Sequence, residues 1–446
     1  MQPMKARSRV ALFGLSVGLV LADSSVVTLA LPEILVQFDV KVATLAWALI
    51  SFNLALALSA LPAAFVARRR PALVFRIAVV IFAAASLACA FSPSFGALVG
   101  FRAVQGVAGA AVVCAALDLL ADAAGTEASA ARVWALAGVI GASIGPAVGG
   151  ILTQLLGWES IFIAQAPVAL LGLLALAGAR SAPVPQPAGG PHVAANAALL
   201  LLSGALVAAL FLLVILLING WQIDPLAAGF VVTVMPLAAI AAARFAGAIT
   251  PLWARAASGA VLISGGLAAL AWLPRAGAVW TVPPQLAVGA GLGLALSALT
   301  ERALAGRSAQ AVHGGWTIAA RHAGVVLGLL LLTPIFTTDL ERNEDHALAA
   351  GTSAVLDSRI SPLERIGVAR DVLVAVDKAR AEGRVANVKE VVDHRDDPAY
   401  ADLGSALQDQ LDRAVTNAFS RSFLVAALLG LLALVPIVLG RRDVSV

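Results

Sequence analysis

Twelve times along this chain of 446 residues the sequence gathers about 20 mostly apolar residues, the length that crosses a bilayer as an α-helix. The runs fall at roughly 9–30, 42–66, 72–91, 95–120, 130–152, 158–179, 197–219, 225–248, 257–274, 279–300, 310–335 and 420–440. Lipid offers the backbone no hydrogen-bond partner, so segments of this length must satisfy themselves as helices. With 60% hydrophobic and 13% charged residues, against about 45–50% and 25% in soluble domains, a soluble globular fold is excluded. The expected class is an all-α membrane protein of twelve transmembrane helices. Lys5, Arg7 and Arg9 ahead of the first run have the outline of a secretory leader. The run's length, Asp23 inside it and the spans that follow point instead to a retained helix.

Charge is divided along the chain. From Thr338 to Phe419 there are 16 of the 26 acidic and 10 of the 30 basic residues, a net of −6, which leaves +10 on everything else. The basic residues sit in short loops beside spans, so the surplus reads as topology and not as nucleic-acid binding. An even number of spans puts both ends on one side. Lys5, Arg7, Arg9, Arg441 and Arg442 at those ends, with Arg68, Arg69, Arg70, Arg76, Arg132, Arg180, Arg255, Arg302 and Arg307 in the loops, assign that side to the cytoplasm. Only Lys41 and Arg275 oppose them in short loops. Trp158, Trp221, Trp272 and Trp280, at span ends, are expected as interfacial anchors.

The stretch S-A-P-V-P-Q-P-A-G-G-P, Ser181 to Pro191, is a Pro/Gly linker that divides the spans six and six. The expected organisation is a six-helix half over 1–180, a cytoplasmic linker at 181–196, spans seven to eleven in 197–337, an extracytoplasmic helical insert at 338–419, and a last span with cytoplasmic tail at 420–446. Two halves around a midplane site are the general plan of secondary transporters. In the insert, Ser361-Pro362-Leu363-Glu364 forms a capping box with proline at the first helical position, and Gly383 ends that helix. Leu363, Ile366, Leu373 and Val376 approximate one apolar face. A second start at Asp397-Pro398 leads to Leu403, Leu407, Leu411 and Val415 at every fourth residue. The insert reads as a structural cap, or as a segment that hands on substrate or binds a partner.

Inside the fifth run the chain reads G-V-I-G-A-S-I-G-P-A-V-G-G, Gly138 to Gly150. Gly138, Gly141, Gly145 and Gly149 recur at three or four residues and line one helical face as a groove without side chains. Another helix can lie there almost backbone to backbone. Pro146 removes one helical N–H and crowds the carbonyl of Ala142, which predicts a bend. A bent, grooved helix suggests a gate, packed on the start of the eighth span near Ala227, Ala228 and Gly229.

Charges inside spans are few. Asp23 lies about seven residues from the outer end of the first span, and Arg102 enters the fourth span from the same side to a similar depth of ~10 Å at 1.5 Å per residue. Each is costly alone in lipid, so partnership or an aqueous cavity is expected. The pair fits a proton-coupling site, since protonated Asp23 would release Arg102; the alternative is a permanent ion pair that only fixes packing. Arg321 and His322 lie mid-span in the eleventh run, Arg321 facing a lumen or packing with its head drawn toward the interface, His322 as a packing residue. Asn53, Gln105, Gln285 and Trp316 are further candidates for the lining of a substrate path. Cys89 and Cys114 fall in apolar runs and make neither a disulfide framework nor a metal cluster. The sequence has no G-x-x-x-x-G-K-[ST] phosphate loop and no metal-ligand spacing, so neither ATP, a cofactor, nor catalysis on a covalent bond is expected.

These residues resemble the major facilitator superfamily, and within it the drug:proton antiporter branch. Gly138 to Gly150 is similar to that branch's fifth-helix signature. L-A-D-S-S-V-V-T-L-A-L-P, Leu21 to Pro32, resembles the first-helix motif L-D-x-T-V-V-N-x-A-L-P, with Asp23 at its acidic position. F-R-A-V-Q-G-V-A-G-A, Phe101 to Ala110, resembles the fourth-helix motif whose arginine, here Arg102, is implicated in proton coupling. Trp158, Phe162 and Pro167 match the sixth-helix pattern W-R-W-I-F-x-x-N-x-P, with Gln165 where asparagine is usual. G-W-Q-I-D-P-L-A-A-G, Gly220 to Gly229, looks like G-x-S-P-x-x-A-G, and A-A-R-H-A-G-V-V-L-G, Ala319 to Gly328, looks like N-T-x-R-Q-x-G-G-x-x-G with Arg321 matching.

The likeness departs at three places. A-F-V-A-R-R-R-P, Ala64 to Pro71, keeps the basic end of the loop motif G-x-L-A-D-R-x-G-R-[RK] and lacks its aspartate. The first-helix motif is typical of fourteen-helix members, whereas twelve runs are present. Nothing in the family pattern corresponds to Thr338–Phe419. The resemblance implies a monomeric, multi-pass exporter in a bacterial-type cytoplasmic membrane that exchanges a hydrophobic or amphipathic small molecule for protons. Two alternatives are a lipid or lipid-like cargo and a transport-inactive scaffold that binds a partner through the insert.

Overall fold

The computed structural model describes residues 6–177, 189–305, 310–356, 362–381 and 398–441. Among the described residues, twelve helices are long and apolar enough to cross a membrane. They are α1 (Ala6–Thr28), α2 (Val42–Ala67), α3 (Pro71–Ala90), α4 (Phe95–Ala124), α5 (Glu127–Leu156), α6 (Glu159–Leu176), α7 (Val193–Gly220), α8 (Pro225–Ala248), α9 (Leu252–Ala271), α10 (Ala278–Leu304), α11 (Gln310–Leu356) and α12 (Pro398–Leu432). Six end before the linker and six follow it; Ser181 to Gln186 and most of the Pro/Gly stretch lie outside the described residues. The chain therefore has a terminal side, where α1 begins, and an insert side, where α11 and α12 emerge. Two π-helical turns, Ala208–Leu212 and Leu216–Gly220, widen the end of α7.

The largest difference from the sequence reading lies in the last two spans. Apolar character fades after 335, yet α11 runs on without a break to Leu356, 47 residues, or about 70 Å against a hydrocarbon core of about 30 Å. The α12 helix begins as far back as Pro398. The insert is thus mainly a continuation of two membrane helices. They are joined at the insert end of the spans by the ring contact Phe336–Phe419 at 4.4 Å and by an Arg421–Asp339 ion pair of 2.8 Å. Pro398 stands at the first position of α12 as expected, and Leu403, Leu407 and Val415 are buried on its face. A separate helix, Pro362–Ala381, also starts at its expected proline. Its apolar face is corrected: Ile366 and Leu373 are exposed, and Val368 is the buried contact. Ser361 and Gly383 lie outside the described residues, as do the side chains of Leu363 and Val376.

The helix around Pro146 packs on the start of α8 as expected, and the glycine face of α5 is covered by α1. A Cβ on Gly141 would collide with the Gly18 carbonyl, one on Gly145 with the Ser25 hydroxyl, and one on Gly149 with the Val26 carbonyl; a Cβ on Gly138 would stand 2.7 Å from the Leu21 side chain. All four partners are on α1. The stripe Gly138, Gly141, Gly145, Gly149 is therefore a seam inside the first six spans that draws α5 onto α1 backbone to backbone. The contact with α8 uses the neighbouring face. Gly150 and Gly229 oppose each other, so that a Gly150 Cβ would lie 3.3 Å from the Gly229 Cα, and Gly229 also faces the Pro146 carbonyl. The helix stays a single α-helical element through Pro146.

Trp272 and Trp280 are exposed at span ends, consistent with interfacial anchoring. Trp158 is not: it is 2% exposed, its indole N–H donates to Gln37 Oε1 at 2.6 Å, and it packs edge-on against Phe38 and Phe162. Trp221 donates to Thr416 Oγ1 at 3.1 Å and so ties the end of α7 to α12. Beside Trp158, Glu33 of the short helix Leu31–Phe38 accepts the Trp158 backbone N–H at 3.0 Å. Burial holds the Glu33 carboxyl above the ordinary carboxylate range, opposed by that N–H bond and reinforced by the negative charge of Glu159.

Candidate coupling site and gate contacts

Asp23 of α1 stands five residues before Thr28, and Arg102 of α4 seven residues after Phe95, depths of about 8 and 10 Å at 1.5 Å per residue. Their side chains meet: Arg102 Nη1 is 2.5 Å from Asp23 Oδ2, and both are fully buried. The arginine also donates from Nε to the Ala48 carbonyl of α2 at 3.0 Å and from Nη1 to Gln105 Oε1 at 2.7 Å. Its guanidinium lies over the rings of Phe52 and Phe162, 4.4 and 5.7 Å from their centroids. Gln105 Nε2 donates to Ser86 Oγ of α3 and to Gln165 Oε1 of α6, each at 2.8 Å. Gln165 Nε2 closes the ring by donating to Asp23 Oδ1 at 3.0 Å. Side chains from α1, α3, α4 and α6 thus form one buried circuit around the ion pair, with Arg102 Nη2 left without a hydrogen bond.

The circuit reassigns one candidate. Gln105, expected to line a substrate path, is fully buried as the link between Arg102 and Gln165. Asn53 sits at the boundary between the first and last six spans: its Nδ2 donates to Ser24 Oγ at 3.0 Å, and its Oδ1 is 2.6 Å from His322 Nδ1 of α11. His322, read as a packing residue, therefore bridges the two sets of helices one residue away from the Asp23 position on α1. Gln285 is fully buried on α10 and donates to Thr281 Oγ1 at 2.9 Å, with its Oε1 unpaired. Trp316 is 38% exposed on the face of α11 that also exposes Leu327, Leu330 and Leu331, so it points to lipid and away from the interior. Gln165, Ser86 and Ser24 were not among the candidates; the signal that marks them is a polar side chain at the depth of Asp23.

The two sets of spans touch at both ends. On the insert side the contact is Pro146 and Gly150 against Pro225 and Gly229. On the terminal side Gly315 of α11 lies against the Ala60 carbonyl and Ala64 of α2, Gly314 faces Leu117 of α4, and Asp118 accepts the backbone N–H of Ala311. The first N–H groups of a helix have no partner of their own, and its N-terminus carries partial positive charge. Asp118 therefore supplies the acidic contact to the start of α11 that the loop Ala64 to Pro71, lacking an aspartate, does not. Cysteines at positions 150 and 229 fall within disulfide reach. Gly150→Cys/Gly229→Cys is expected to cross-link under mild oxidation, so that cleavage in the 181–188 linker leaves the halves joined on a non-reducing gel and separates them after reduction.

Residues 13–333 match the Major Facilitator Superfamily. The chain belongs to that superfamily. Curated relatives of this facilitator include the multidrug resistance protein Stp of Mycobacterium tuberculosis, 35% identical over 167 residues, 36% of this chain and 30% of Stp. The drug efflux pump JefA of the same organism is 30% identical over 41% of this chain and 37% of its own length. The tetracenomycin C resistance and export protein of Streptomyces glaucescens is 35% identical over 39% of this chain and 33% of its length. The matches span about a third of each of these relatives. Over the whole fold, the chain is similar to the inward-facing, unoccupied crystal structure of a bacterial homologue of the human lysosomal transporter Spinster, with a TM-score of 0.65 and 16% identity across 98% of each chain. At that identity the likeness speaks to the fold.

Proposed function

We propose that this facilitator exports a hydrophobic or amphipathic small molecule in exchange for protons, by alternating access, from a bacterial-type cytoplasmic membrane with both termini in the cytoplasm. The observation that carries this reading is the Asp23–Arg102 pair, two opposite charges fully buried within the spans. Such a pair is weak as a stabiliser, because desolvation offsets attraction, and ionisable groups inside a membrane are functional by default. When Asp23 takes a proton, Arg102 keeps Ala48, Gln105 and two ring faces but loses its counter-charge. Breaking a buried pair is worth about 3–5 kcal/mol, the same order as the ~5.5 kcal/mol that inverts a 1:99 equilibrium. The loosened α1 is fused to α5 by the glycine seam, and α5 meets α8 through Pro146 and Gly150. A rigid path thus runs from the proton site to the insert-side contact, where the gate consists of Pro146, Gly150 and Gly229. The drug-export names of the bacterial relatives support the cargo class.

Purified protein in liposomes under a proton gradient, offered cationic dyes, anionic dyes and labelled lipids, tests the reading. Native protein is expected to move at least one cargo against its gradient, and Asp23→Asn to fall to a tenth or less of that rate. No gradient-driven movement of any cargo would overturn the assignment as an exporter; an unchanged rate in Asp23→Asn would remove the carboxylate from the mechanism.

A further inference from the structure

Arg321 is the opposite of Arg102. It lies eleven residues into α11, about 16 Å from the helix start and so near the middle of a core about 30 Å thick. The neighbouring residues fix its direction. Gly324 and Gly328 press on the Leu200 and Gly204 carbonyls of α7; Ile318, fully buried, and His322 face the first six spans; Leu327, Leu330 and Leu331 are exposed toward lipid. At 100° per residue Arg321 falls between the α7 direction and that of Ile318, on the interior side, where it is partly exposed. It makes no hydrogen bond, ion pair or ring contact among the described residues.

Five acids of the spanning helices are committed elsewhere. Asp23 pairs with Arg102, Asp122 with Arg9, Glu301 with Arg255 and Asp339 with Arg421, while Asp118 takes the Ala311 N–H. The titratable neighbour of Arg321 is His322, which brings no negative charge. A cation at mid-membrane costs about 2.5–3.5 kcal/mol on insertion scales, and here no protein anion offsets it. The guanidinium fork matches carboxylate and phosphate oxygens two at a time.

We propose that Arg321 is the anion-binding point of the cargo site, and that the cargo is an amphipathic molecule with one carboxylate or phosphate head. The inference rests on the export reading and narrows it, because an unpaired arginine repels cationic amphiphiles.

The full chain in phosphatidylcholine nanodiscs, titrated with dodecanoate and with dodecyltrimethylammonium, compares opposite heads on the same chain, empty nanodiscs correcting for partition. Native protein is expected to bind dodecanoate at least tenfold more tightly. Arg321→Gln is expected to lose that preference and Arg321→Lys to keep a reduced one. The unfolding temperature of Arg321→Gln without probe is expected at or above the native value, since an unpartnered charge has been removed. Equal binding of the two probes by native protein, a preference that survives Arg321→Gln, or a lower unfolding temperature in that variant would each overturn the proposal. Phosphatidylglycerol added to the nanodiscs distinguishes the sources: if it competes with dodecanoate the head is a lipid phosphate, and if it does not the cargo is a free acid, Arg321 being the anion site in both. Equilibrium binding needs no gradient, so this result stands apart from the flux of Asp23→Asn.

Discussion

Arg102→Leu is expected to cost about 3–5 kcal/mol of stability, more than Asp23→Asn, and the double variant less than the sum of the two. The asymmetry follows from what each change leaves behind. Without Arg102, a carboxylate with no solvent exposure retains one donor, Gln165 Nε2, and has no counter-charge. Without the Asp23 charge, the guanidinium retains the Ala48 carbonyl, Gln105 Oε1 and the faces of Phe52 and Phe162. Removing both partners takes away the stranded charge, and a buried pair exchanged for neutral groups is often close to neutral in stability. Thermal unfolding of the four proteins in one detergent closes the double-mutant cycle, whose interaction energy is the coupling of the pair. Gradient-driven export is expected to be lost in all three variants, so that the double variant is folded and inactive. Additive effects of the two single changes would show that the charges do not depend on each other, and the proton switch built on them would fall.

The pair was legible in the sequence because charge inside a span is rare and depth follows from counting residues. Its surroundings were not. Gln165 and Ser86 are neutral, cost little in lipid when hydrogen-bonded, and so stand out only when four helices are seen to converge, and Gln105 was marked for a substrate path and not for this circuit. The glycine stripe shows the reverse difficulty. Spacing states which residues share a face of α5, but nothing in it says which helix covers that face. The cover is α1 for Gly138, Gly141, Gly145 and Gly149, while α8 packs along the neighbouring face, where Pro146 and Gly150 meet Gly229. The length of α11 was hidden for a third reason. Hydropathy marks where lipid ends, whereas the helix continues as long as its own hydrogen bonds and the contact of Phe336 with Phe419 sustain it.

Gly141→Ala and Gly100→Ala are expected to move stability in opposite directions. Both residues lie inside spanning helices, where alanine is favoured over glycine by about 0.5–1 kcal/mol through reduced backbone entropy. At Gly100 of α4 an added methyl meets nothing within 4 Å, so the helical gain is realised and the unfolding temperature rises. At Gly141 the same methyl would overlap the Gly18 carbonyl, which is backbone and cannot rotate away. The α1 and α5 helices must then separate, with overpacking costs of about 1–3 kcal/mol, and Gly145 and Gly149 lose their fit against Ser25 and Val26. Gly141→Leu is expected to prevent stable folding altogether. Because α1 carries Asp23 five residues beyond Gly18, the displacement also reaches the ion pair, and Gly141→Ala is expected to slow export in a protein that remains assembled. Unfolding temperatures and proton-driven flux on the same preparations check this. A glycine stripe acting as the gate itself would alter the balance of conformations at unchanged stability, so a native unfolding temperature in Gly141→Ala would return the stripe to the gate and remove it from the seam.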